Sequence, residues 1–297
     1  MREVRLLMYD TLAQILGISE ETKRPFWEVV REEDCNETGL TPEESGRELL
    51  RMYRVMKESD AAYDPALRSE SGMVGGEGAK LAAYLEEAGA DALLGSFSGT
   101  VCRRALQMAA SNACMRRIVA APTAGSCGVL PAVLISMEER YGYAEEDIVK
   151  ALYTAGAIGG VIAARASLSG AAGGCQAEVG SAAAMAAGAA VQLRGGSGEQ
   201  ILHAAAIALK NLLGLACDPV AGLVEVPCVK RNVIGAMDAL SAADMALAGI
   251  TSVIPADEVI DAMGRIGREL PENIRETGEG GLAATPTGVA MRDRLNG

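Results

Sequence analysis

Apolar residues recur at helical spacing along most of this chain, while the density of charge falls sharply about a quarter of the way in. Residues 1–70 read as three charged amphipathic helices beginning near Arg5, Glu20 and Thr41. The third opens with Thr41-Pro-Glu-Glu, where a hydroxyl cap and a first-turn proline both favour a helix start. Ser69–Lys80 carries Gly72, Gly75, Gly76 and Gly78 between two helical patterns and reads as a linker. Beyond it Gly and Ala become dense, as expected where helices approach closely. The pattern predicts helices over Val101–Ile118, from the loop Ala120–Gly128 through Glu139, and around Glu145–Ala166, Gln176–Leu193, Ser197–Leu213, Val229–Ala248 and Ala256–Gly267. Pro131 is tolerated only in a first turn. No adequate alternating run and no fixed-period repeat stands out. The expectation is an all-α fold, with a helical cap over residues 1–70 and a Gly/Ala-rich helical domain over residues 71–297. Thr277–Gly288 is expected to be a loop.

Composition supports helices. Hydrophobic residues make up 49% of the 297, but aromatics only 3%, so Ala, Leu, Val, Ile and Met must fill the core. A net charge of −12 leaves no cationic surplus for phosphates, which argues against nucleic acid and against an anionic membrane surface. Tyr153–Ala164 is too short for a membrane span and Val179–Leu193 too rich in Ala and Gly; both are expected to be buried helices. Met1–Gly17 lacks the apolar run of a signal peptide. Seven unevenly spaced cysteines suit reduced thiols, so the expected location is cytoplasmic.

Three of those cysteines have suggestive surroundings: Gly-Gly-Cys175-Gln-Ala-Glu, Cys217-Asp-Pro-Val and Val-Pro-Cys228-Val-Lys-Arg-Asn. Each follows or precedes Gly or Pro where a helix can begin, so its sulfur would face unpaired N–H groups that favour the thiolate and metal binding. Cys35, Cys102 and Cys114 read as small buried hydrophobes. Gaps of 42 and 11 residues match neither a zinc-finger pattern nor a ferredoxin run.

The run from Ser167 through Gly180, with Cys217–Asn232, closely resembles the α subunit of the iron–sulfur-dependent bacterial L-serine dehydratases. Ala121–Ser126 and Arg275–Gly288 are similar to that family too, so the likeness spans residues from about 75 to 290. It implies that residues 71–297 form the catalytic domain, with a 4Fe-4S cluster on Cys175, Cys217 and Cys228 and one iron left without a cysteine. That iron would act as a Lewis acid on the serine hydroxyl during loss of water, giving aminoacrylate and then pyruvate and ammonia. The setting would be amino-acid catabolism and gluconeogenesis. It also implies a separate β subunit in a hetero-oligomer, able to contribute a base that this chain does not clearly offer.

The loop around Thr123 and Ser126 is the expected site for the substrate carboxylate, because small residues before a helix can present N–H groups to an anion. Ser167, Ser169, Thr285 and Thr287 are further substrate-binding candidates. Lys230, Arg231 and Asn232 either orient the substrate or form a polar helix start, with Lys230 and Asn232 the candidates for catalysis and a surface salt bridge an equal reading of Arg231; Glu178, three residues after Cys175, is open to simply capping its helix. His203, amid Leu202 and Ala204–Ala206, is expected to be structural or on the surface. Three features depart from the family pattern: Cys127 where Ala is usual, a spare ligand or an oxidation-prone bystander; Arg165 in place of Asn or Glu; and a C-terminus without a terminal Cys. Competing readings are a cysteine desulfidase-type lyase, a non-catalytic iron–sulfur redox protein, zinc on three cysteines and His203, and pyridoxal phosphate. The last finds no strand and lysine motif beside Gly195–Gly198.

Overall fold

The computed structural model describes residues 9–297; among them are thirteen α-helices and no strand beyond two isolated backbone bridges. In chain order the helices are α1 Leu12–Thr22, α2 Phe26–Thr38, α3 Pro42–Ala61, α4 Glu77–Ala88, α5 Gly95–Ala113, α6 Val129–Tyr141, α7 Glu145–Arg165, α8 Gly170–Gly173, α9 Ser181–Leu193, α10 Gly198–Asn211, α11 Cys228–Leu247, α12 Ala256–Glu269 and α13 Pro286–Asn296. The all-α expectation therefore holds.

The centre is α9, in which every side chain except Gln192 is buried. It packs against α6, α7, α10 and α11, and only a helix of small residues lets four neighbours come so close. Gly188 shows the constraint, since a Cβ there would overlap the Cδ1 of Ile158. α7 is long and apolar enough to cross a membrane by length and composition alone, and it is packed within this core. Leu12 and Ile15 of α1, Phe26 and Val29 of α2, and Tyr53 of α3 are buried in the same hydrophobic cluster as α7 and α9.

Several boundaries differ from the sequence expectation. Arg5 lies outside the described residues. Glu20 lies near the end of α1 rather than opening a second helix: Lys23 turns left-handed at φ 55°, and α2 starts only after Pro25. α5 begins earlier and ends at Ala113, where Met115 (φ 59°) lets Cys114 N–H reach Ala110 O and Arg116 N–H reach Ser111 O. The expected loop Thr277–Gly288 includes a helix start at its far end: Thr285 Oγ1 accepts the N–H of Gly288 and Pro286 fills the first helical position of α13. This is the Thr-Pro signature that also opens α3. Ser69–Lys80 holds a bridge between Arg68 and Gly75 before α4 starts at Glu77, and its Ser69 hydroxyl donates to the buried Glu225 at 2.7 Å.

Candidate active site

Three chain segments bring Cys175, Cys217 and Cys228 together. Cys175 follows α8 and leads into a π-helical turn, Gln176–Gly180, that runs straight into α9. Such turns recur at functional sites because they shift one residue out of helical register. Gln176 locks this one, donating to Gly173 O (2.8 Å) and Met263 O (3.2 Å) and accepting from Gly214 N–H (2.9 Å). Cys228 is the first residue of α11, after the cis Val226–Pro227 bond. Cys217 departs from the expectation of a helix start. It lies on an extended bridge, its N–H bonded to Ile274 O (2.9 Å) and its carbonyl to Glu276 N–H (2.7 Å).

All three thiols are buried, and Cys217 is near enough to Cys175 and Cys228 for their charges to be felt. Burial pushes Cys175 up to about 11 and Cys228 up to about 12, and raises Cys217 as well. This corrects the expectation that helix-start N–H groups hold the thiols ionised. Desolvation outweighs those dipoles.

The polar groups around the sulfurs are asymmetric. Arg231 is largely buried and makes an ion pair inside the site rather than on the surface: it donates to Ala216 O at 2.6 Å and Asp218 Oδ1 at 2.9 Å, and its charge lies close to Cys175. Its positive charge also favours the ionised form of Cys228. On the Cys217 side lie carboxylates. Glu178 Oε2 is 4.0 Å from Cys217 Sγ, and a Cβ on Gly170 would stand 2.9 Å from each of those atoms and 3.1 Å from Glu276 Oε2. Glu178 is therefore at the thiols rather than capping a helix. Burial, with Glu276 nearby, raises its carboxyl above the usual range, opposed by the nearby Thr123 hydroxyl.

Thr123 and Ser126 do join this site. Their hydroxyls are 3.0 Å apart, Ser126 is fully buried, and Gly125 lies against Glu178, with 3.1 Å between its ideal Cβ and Oε1. Asn232 sits behind the loop: its Oδ1 accepts Gly128 N–H (2.8 Å), while its Nδ2 donates to Gly125 O (2.8 Å) and Cys228 O (3.0 Å). Its amide is thus committed to holding the loop. Lys230 points outward, 3.9 Å from Glu77. Ser167 Oγ accepts Ser169 N–H and helps line a cavity of about 230 Å³ with Ala172, Gly173, Met263 and Arg268. Thr285 caps α13 and Thr287 is exposed in its first turn.

Of the remaining residues, His203 accepts the Ser252 N–H through Nδ1 at 3.4 Å, in keeping with a structural role. Cys127 is fully buried with its thiol toward Met108 O, and Cys102 is buried too, whereas Cys35 and Cys114 are half-buried. Arg165 pairs with Asp261 at 2.6 Å. Asp218 and Glu276 are the site groups without a sequence-based expectation, and Arg231 joins them through its ion pair with Asp218. The Asp218-Pro motif was visible, but its contact with Arg231 depends on how α11 folds back.

Among the described residues, no three His, Cys, Asp or Glu side chains converge as ligands of a single ion. His203 is held by the Ser252 N–H instead. A 4Fe-4S cluster takes one thiolate per iron and asks its ligands to surround it rather than meet at a point. Three buried sulfurs from separate segments, with a cation nearby and a glycine that keeps Cβ away from Cys217, supply the donor type that such a cluster takes.

Residues 21–283 match the family described as serine dehydratase alpha chain. The chain is 46% identical to the probable L-serine dehydratase alpha chain of Bacillus subtilis, over 98% of this chain and 96% of that one. It is 41% identical to the L-serine dehydratase alpha chain of Peptoniphilus asaccharolyticus, over 96% and 97% respectively. An L-serine dehydratase of Streptomyces coelicolor is 39% identical over 93% of this chain, which covers 60% of that longer protein. With the match running through Cys175, Cys217 and Cys228 and nearly end to end, the chain belongs to the serine dehydratase alpha-chain family.

Proposed function

We propose that this chain is the α subunit of an L-serine ammonia-lyase that binds a 4Fe-4S cluster on Cys175, Cys217 and Cys228. The observation that carries the reading is the meeting of three buried thiols from separate segments with Glu178, Thr123 and Arg231. When bound, the cluster would supply Lewis acidity for departure of the β-hydroxyl, the fourth iron having no cysteine from this set. The chain's own residues do the rest. Glu178 and Glu276 place negative charge on the Cys217 side, suited to the substrate ammonium group. The Thr123–Ser126 turn offers hydroxyls and small residues that leave space for the carboxylate. Burial of the thiols excludes water that would compete for the site.

The reaction removes the Cα proton and the β-hydroxide as water. The resulting aminoacrylate tautomerises to an imine, and water hydrolyses it to pyruvate and ammonia. No histidine of this chain stands at the thiols, and Lys230 faces away, so we place the Cα base on a second, β-type chain. The names of the relatives support this, since "alpha chain" implies a companion. The free state of all seven cysteines suits a reducing cytoplasm.

The test is anaerobic iron, sulfide and pyruvate analysis of the chain, alone and with that second chain co-expressed. Serine-dependent pyruvate is expected only with both. Alanine at Cys175, Cys217 or Cys228 should lower iron and sulfide. Normal iron in all three variants would refute the cluster, full activity of the lone chain would refute the partner, and sulfide release from cysteine exceeding pyruvate from serine would make the enzyme a desulfidase.

A further inference from the structure

The Arg231 guanidinium stands among the three cysteine-bearing segments. It stands on α11 three residues after Cys228, donates to Ala216 O at 2.6 Å and Asp218 Oδ1 at 2.9 Å on either side of Cys217, and lies close to Cys175. A planar fork of fixed charge can make these contacts together; a lysine ammonium cannot reproduce the geometry. Asp218 extends the chain of contacts. Its Oδ2 accepts the N–H of Leu282 at 2.8 Å, and Gly281 approaches it so closely that a Cβ would overlap the carboxylate. That second contact belongs to the strap from Pro271 to Thr285, which is also pinned to Cys217 through Ile274 O and Glu276 N–H.

We infer that Arg231 and Asp218 are a positioning pair that couples retention of the group held by the three cysteines to closure of the Pro271–Thr285 strap over Cys217. The inference rests on the cluster reading above. Both partners are mostly buried, at 16% and 7% side-chain exposure, so the pair is shielded from solvent screening, and removing either partner leaves an uncompensated buried charge. Coupling of this kind is reciprocal: whatever loosens the strap must loosen the bound group by the same factor, and the reverse.

The experiment uses the full chain, purified anaerobically with the second chain. Iron release to a chelator, tryptic cleavage after Arg275 and the cluster's midpoint potential are followed in wild type, Asp218→Asn, Arg231→Met and Arg231→Lys. Asp218→Asn, which touches no thiol, is expected to speed iron release about tenfold. Arg231→Met should speed cleavage after Arg275 by a similar factor while cleavage at the exposed Arg116-Arg117 turn stays unchanged. It should also move the potential negative, because a lost cation favours the oxidised cluster. Arg231→Lys, the milder change should Arg231→Met fail to fold, should restore the potential but not the strap's protection. Wild-type iron release in Asp218→Asn, or unaltered strap cleavage and potential in both Arg231 variants, overturns this inference alone. A wild-type complex without iron and sulfide overturns the cluster reading and this inference with it.

Discussion

Asn232 accepts the backbone N–H of Gly128 at 2.8 Å, which fastens the first turn of α11 to the loop bearing Thr123 and Ser126. Because the same amide donates to Gly125 O and Cys228 O, the position of a cysteine and the shape of the Thr123–Ser126 loop are set by one side chain. Geometry at the thiols and geometry at the loop therefore change together.

Replacing Asn232 with Ala leaves the buried Gly128 N–H and Gly125 carbonyl without these partners, at a cost of about 2–4 kcal/mol. Denaturant unfolding of the variant should show a lower midpoint. Serine-dependent activity should fall further than iron content, since the ligands remain while the loop is freed. An unchanged midpoint would mean that the loop is held by other contacts.

Gly170 should tolerate no side chain. An alanine Cβ would stand 2.9 Å from both Cys217 Sγ and Glu178 Oε2, inside ordinary contact distance. Gly170→Ala is expected to reduce iron loading several-fold. Gly156→Ala on α7, where nothing lies within 4 Å of an added Cβ, should gain up to about 1 kcal/mol in thermal or chemical unfolding. Equal iron content in the two variants would show that the space around Gly170 is not needed.

The helices were legible because their signals are local: Thr41-Pro and the apolar period of α12 lie within a few residues of each other. The same rule applied to Thr285-Pro286 would have found α13, but the glycines before it suggested an uninterrupted loop. Cys175, Cys217 and Cys228 were legible through their Gly and Pro neighbours and the family likeness. Their protonation was not, because local dipoles can be read from sequence while burial from all sides cannot. Arg231 shows the same limit. In the string Lys230-Arg231-Asn232 three polar residues look alike, yet helical geometry sends Lys230 outward, Arg231 to the thiols and Asn232 behind the loop.

Cys127 is expected to be neither a spare ligand nor readily oxidised. It is fully buried and its thiol is pushed up to about 12, so little thiolate exists at neutral pH. Cys127→Ala should keep full iron content at a stability cost of about 1 kcal/mol, the typical size of a single mutational effect. Mass spectrometry after brief alkylation of the native protein at pH 8 should find this position unmodified. Rapid labelling, or loss of iron in the variant, would contradict its placement in the core.

Asp238 on α11 makes stability depend on pH. Burial lifts its carboxyl from 3.8 to about 6, against a bond from Asn211, and its Oδ2 has no hydrogen-bond partner in the fold. The folded state thus holds a proton that the unfolded chain releases earlier. Stability from this group is present in full below pH 3.8 and is lost as pH rises through about 6. Above that range the buried charge costs about 1–3 kcal/mol, at about 1.4 kcal/mol per pKa unit and reduced for partial exposure. Asp238→Asn should therefore raise the denaturant midpoint at pH 7.5, and the gain should shrink to nothing near pH 4. A gain that is the same at both pH values would show that ionisation of Asp238 is not its source.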